Sequence, residues 1–122
     1  MSIRRIAFAC IAAVAWLASA TAAAHAFLDH AVPAVGSSVH RSPQDVRLWF
    51  TEKLEPTFSR VRVVDAQGKR VDRDDSHVDA TDASVLTASL QRLAPGTYRV
   101  QWRVVSVDTH VTEGDYTFEI KA

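Results

Sequence analysis

Apolar and polar residues alternate along much of the chain after residue 24, and the alternation predicts strands. Residues 45–50 place Val46, Leu48 and Phe50 on one face and Asp45, Arg47 and Trp49 on the other. Tyr98, Val100, Trp102 and Val104 alternate in the same way against Arg99, Gln101 and Arg103, and Tyr116, Phe118 and Ile120 repeat the pattern near the C-terminus. Successive side chains on a strand point to opposite sides, so a period of two marks a sheet with one buried face. Further strands are expected over 59–65, 85–90 and 27–32. No segment sustains a helical period. Valine, whose branched side chain suits a pleated surface, occurs 15 times after residue 24.

Turn signals fall between these runs. Ala66-Gln67-Gly68-Lys69 can close a hairpin, and Pro95-Gly96 opens the strand that holds Tyr98. The stretch 93–98 has the form of a tyrosine corner, in which a phenol hydroxyl bonds back to nearby backbone. Residues 72–82 are polar and acidic and are expected as a surface loop with room for a short edge strand. The elements together predict one all-β domain, a small Greek-key sandwich or barrel of about seven strands.

Residues 1–24 are of another kind. Arg4 and Arg5 precede the apolar run 6–17, which leads to Ala22-Ala23-Ala24. A charged start, an apolar stretch and a small-x-small exit make a secretory signal peptide, and the run is too short for the roughly 20 residues that span a membrane. Cleavage after Ala24 leaves a domain of residues 25–122, exported to the periplasm. A cut after Ala26 also satisfies the small-x-small rule. Only the first cut places a histidine, His25, at the new N-terminus.

That division changes the composition. The whole chain has 14 basic and 14 acidic residues; without Arg4 and Arg5 there are 12 against 14, a formal charge of −2. Cys10 and Met1 also fall in the leader, whereas all five histidines remain. A disulfide framework and a multi-thiolate zinc site are therefore excluded. The charge balance also speaks against nucleic acid as a partner.

Candidate chemistry lies at two distant places. An N-terminal His25 would offer its α-amine and its imidazole as a bidentate chelate set by a single side chain. The amine, with a reference pKa of about 7.7–8.0, must lose a proton to ligate. The second place is Val107-Asp108-Thr109-His110. On extended backbone Asp108 and His110 would project from the same face, setting a carboxylate beside an imidazole. Together these groups supply three nitrogens and one oxygen, a set that favours Cu(II) in a tetragonal field. Neither half is specific alone.

In combination they match a known family: the mature chain resembles the periplasmic copper-resistance proteins of the CopC type. The resemblance runs through His25, Leu28, Pro33-Ala34 and Gly36, then Leu48-Trp49-Phe50-Thr51-Glu52 with Phe58-Ser59. Its most specific block is Gly96-Thr97-Tyr98, Trp102-Arg103-Val104-Val105-Ser106, Asp108-Thr109-His110 and Gly114. It implies an immunoglobulin-like Greek-key fold with Cu(II) ligands at His25, Asp108 and His110, and Glu52 as an outer carboxylate approaching the site. It also implies a monomeric binding protein rather than an enzyme, which sequesters or carries copper, with a CopD-like inner-membrane protein as recipient. One feature departs from the family pattern. Some relatives bind Cu(I) through a Met-rich loop, but residues 64–79 here contain no Met, so a Cu(II)-only member is expected. His30, His40 and His77 are expected to stand outside the site. Two other readings compete: a copper monooxygenase built on a histidine brace, and a metal-free immunoglobulin-like adaptor.

Overall fold

The computed structural model describes residues 25–122. The signal peptide assigned to residues 1–24 lies outside the described residues. Eight strands follow in order: β1 Leu28–Val32, β2 Ser38–Val39, β3 Asp45–Phe50, β4 Arg60–Val64, β5 His77–Val78, β6 Val85–Ser89, β7 Gly96–Val105 and β8 Val111–Ile120. There is no helix among the described residues. One sheet has the order β1-β3-β6-β5 and the other β2-β8-β7-β4. Of the consecutive strands, only β5/β6 and β7/β8 are hydrogen-bonded neighbours; every other connection crosses from one sheet to the other. The result is the sandwich expected from the strand pattern.

The alternation in sequence becomes the core. Val46, Leu48 and Phe50 of β3 are buried, and they face Val100, Val104 and Phe118 of the opposite sheet. Full burial of a side chain of this size contributes about 1.5–3 kcal/mol. At the far end of β7, Tyr98 donates its hydroxyl to the Ala94 carbonyl at 2.6 Å, closing the tyrosine corner. Gly68, at φ +80°, turns the chain between Asp65 and Lys69, where a side chain would strain the backbone.

The acidic segment after β4 is tied down by Asp72, whose side chain is fully buried. Its carboxylate accepts hydrogen bonds from the Val63 N–H at 2.9 Å, the Arg70 Nε at 2.9 Å and the Asp74 N–H at 3.0 Å. Burial pushes this carboxyl up, but Arg70 and then the two backbone donors outweigh burial and hold it below its ordinary value. A carboxyl depressed by folding stabilises the protein above its unfolded pKa and loses that contribution as pH falls through the folded one. Stability should therefore stay level down to about pH 4 and fall below it. Asp72→Asn should cost about 2–4 kcal/mol at neutral pH and flatten the acid limb of a urea-unfolding series.

Candidate metal centre

The site lies at the end of the sandwich where β7 turns into β8. Residues 106–110 form that turn. The Thr109 N–H bonds the Ser106 carbonyl at 2.8 Å, and the Ser106 N–H bonds the His110 carbonyl at 2.9 Å. Thr109 adopts φ +72°, a left-handed conformation unusual for a β-branched residue. The extended backbone expected for Asp108 and His110 is thus not observed. The turn itself brings the two together, with His110 Nδ1 3.1 Å from Asp108 Oδ1.

Ser106 organises the turn. Its buried hydroxyl donates to Asp108 Oδ1 and accepts the His110 N–H at 3.3 Å. The Ser106 hydroxyl, and after it the His110 imidazole, holds the Asp108 carboxyl below its ordinary range, so the group is an anionic oxygen donor at neutral pH. His110 Nδ1 is buried without an aligned hydrogen bond to any described residue. Its near neighbour is the Asp108 carboxylate at 3.1 Å, and a metal ion bound by both groups would satisfy this nitrogen.

The third candidate arrives from the other end of the sequence. The segment preceding β1 runs between the two sheets and is held from both. Thr51, just after β3, accepts the Phe27 N–H at 3.0 Å and donates its hydroxyl to the His25 carbonyl at 3.2 Å. Thr112 on β8 donates to the Ala26 carbonyl at 2.6 Å, and Ala26 is fully buried. These anchors place the His25 ring beside that of His110, with centroids 4.6 Å apart and planes at 57°. His25, Asp108 and His110 are therefore brought to one place. Among the described residues, however, no three His, Cys, Asp or Glu side chains already close around a point as a metal cage. Two imidazoles and an ionised carboxylate are the donor set of a borderline divalent ion.

Glu52 is brought to the same end, because the loop after β3 runs beside β7: the Val107 N–H bonds the Lys53 carbonyl at 3.0 Å. It is half-buried and makes no hydrogen bond or ion pair with another described residue. His30 takes no part in this arrangement. Its ring stacks on Trp49 at 4.4 Å and its Nδ1 lies 2.7 Å from Asp29. His77 is exposed and bonds the Asp75 carbonyl, and His40 is exposed. Sequence reasoning missed the three hydroxyl residues Thr51, Ser106 and Thr112. Their only signal was position, each standing at the end of a strand that leads to the site.

Comparison with known proteins accords with this architecture. Residues 28–121 match the CopC domain family. The chain is 38% identical over 99 residues to Protein YobA of Escherichia coli strain K12, covering 80% of each chain. It is 35% identical over 124 residues to copper resistance protein C of Xanthomonas campestris pv. juglandis, covering 97% of each. The crystal structure of CopC from Methylosinus trichosporium OB3b superposes with a TM-score of 0.71 at 35% identity, over 80% of this chain and 94% of that one. The family match over nearly the whole described domain, with these identities and this structural likeness, makes the chain a member of the CopC family.

Proposed function

We propose that the chain, processed to begin at His25, is a periplasmic protein that binds a single Cu(II) ion and sequesters or carries it in copper homeostasis. The observation that carries this reading is the convergence of the His25 ring with the turn that sets His110 Nδ1 3.1 Å from Asp108 Oδ1. A relative named copper resistance protein C, similar over almost its full length, supports copper as the ion. The donors are nitrogen and oxygen without sulfur, which supports Cu(II) over Cu(I). An anionic Asp108 within reach of the ion suits retention of Cu(II) better than an open position for oxygen chemistry.

The burial of Ala26 supports cleavage after Ala24. A cut after Ala26 would remove a core residue and both carbonyls that Thr51 and Thr112 hold. Cleavage after Ala24 leaves all of these in place and frees the amine of His25 as a further donor. Titrating the processed chain with Cu(II) in the presence of a competing chelator should give one ion per chain. His110→Ala should weaken binding about 100-fold, the upper end of what even outer residues of a metal site cost. Undiminished affinity in both His110→Ala and His25→Ala would overturn the proposal.

A further inference from the structure

The end of the sandwich opposite the metal centre carries a second concave surface with different chemistry. Four parts of the chain meet there: residues 40–44 ahead of β3, Arg73 after β4, 90–95 between β6 and β7, and 120–122 at the end of β8. They border an open hollow of about 640 Å³. Because β7 runs ten residues from Gly96 to Val105, this cavity and the turn at Asp108 are about 30 Å apart.

Charge is sharply concentrated here. Arg41, Arg73, Arg92 and Lys121 line the cavity, with His40 beside them, and no Asp or Glu does. Those are four of the 12 basic residues of a domain whose acidic residues outnumber its basic ones. None of the four forms an ion pair with a described carboxylate; of the other basic residues Arg47, Arg70, Arg99 and Arg103 do, and Lys53, Arg60, Arg62 and Lys69 do not. All four are exposed. Like charges gathered without partners repel one another, and an anion between them relieves that repulsion.

The frame beneath is rigid. Ser42 accepts the Leu93 N–H at 2.8 Å, and the Leu90 N–H bonds the Gln44 carbonyl at 2.8 Å. The Lys121 N–H bonds the Val39 carbonyl at 2.8 Å, and Arg73 is oriented by an Nε bond to the Leu90 carbonyl at 3.1 Å. Buried Leu90, Leu93 and Ile120 form the floor. Guanidinium forks match phosphate oxygens in geometry, and the volume lies within the range of small-ligand sites, larger than one phosphate requires.

We propose that this basic cavity is a binding site for a phosphate-bearing anion, separate from the metal centre. The test uses the processed, metal-free chain at low ionic strength and inorganic tripolyphosphate as the probe, followed by calorimetry. One saturable site per chain is expected, weakening as salt is added. The triple substitution Arg41→Ala/Arg92→Ala/Lys121→Ala should reduce affinity by at least about tenfold. A control with the same change in charge, Arg60→Ala/Arg62→Ala/Lys69→Ala, should leave it within about twofold, because the cavity is untouched. A parallel arm measures binding to phosphatidylglycerol vesicles. Loss of vesicle binding only in the cavity variant assigns the phosphate to a lipid headgroup, and tripolyphosphate binding without vesicle binding assigns it to a free anion. Absence of binding to both probes, or equal losses in the two variants, would overturn the site. Cu(II) affinity serves as an internal reference, since neither triple variant touches His25, Asp108 or His110.

Discussion

Acetylating the α-amine of His25 should reduce Cu(II) affinity about a thousandfold while leaving the fold intact. The acetyl group turns the α-amine into an amide nitrogen with no amine beside it, a far weaker donor, and it removes no side chain. What is lost is one nitrogen and the chelate ring that it closes with the His25 imidazole. Two donors on one residue act at high effective concentration, so breaking the ring costs more than deleting an independent ligand. The His25 and Ala26 carbonyls stay bonded to Thr51 and Thr112, and thermal unfolding should therefore be unchanged. Affinity within a few fold of the unacetylated chain would show that the amine is not a ligand. Loss of affinity together with a lowered melting temperature would point instead to a displaced N-terminal segment.

Gly114→Ala is expected to be the most damaging small substitution in the domain. Gly114 lies directly opposite Trp102 across β7 and β8, and the indole lies flat over its Cα. A Cβ there would fall 2.7 Å from Trp102 Cη2 and 2.8 Å from Cε2, nearer than real Cβ contacts come. The indole would have to move, but it packs edge-on against Phe50 at 6.1 Å and leans on Tyr116 at 6.3 Å. Overpacking of this kind costs about 2–3 kcal/mol. For a domain of this size the melting temperature should fall by roughly 10 °C or more, measurable by circular dichroism. A second substitution, Trp102→Leu, should recover part of the loss by vacating the space. If Gly114→Ala unfolds like the parent chain, the indole does not occupy the place described.

Much of this architecture was legible because its cause is local. Strands β3, β4 and β7 follow from alternation that one buried face imposes, β6 from a short β-prone run buried on both faces, and their observed limits lie within two residues of the expected ones. The two-residue strand β2 was invisible. It exists only because Ser38 and Val39 lie parallel to Glu119 and Ile120, a pairing made by the tertiary fold. The site divides in the same way. Asp108 and His110 could be paired from spacing, but the reasoning assumed a strand, and nothing in the identity of Thr109 announces a left-handed turn. His25 was found through the chemistry of a terminal histidine. The hydroxyls of Thr51, Ser106 and Thr112, which hold both halves in place, resemble any other strand-end Thr or Ser until the fold assembles them.

In the proposed function His25 and His110 hold one Cu(II) together. Pulsed electron paramagnetic resonance on the processed chain loaded with one equivalent of Cu(II) tests it most directly, because coupling to the remote imidazole nitrogens counts the coordinated histidines. The account predicts two coupled imidazoles in the parent chain and one after His110→Ala. A spectrum with no imidazole coupling, or one that His110→Ala leaves unchanged, would contradict it.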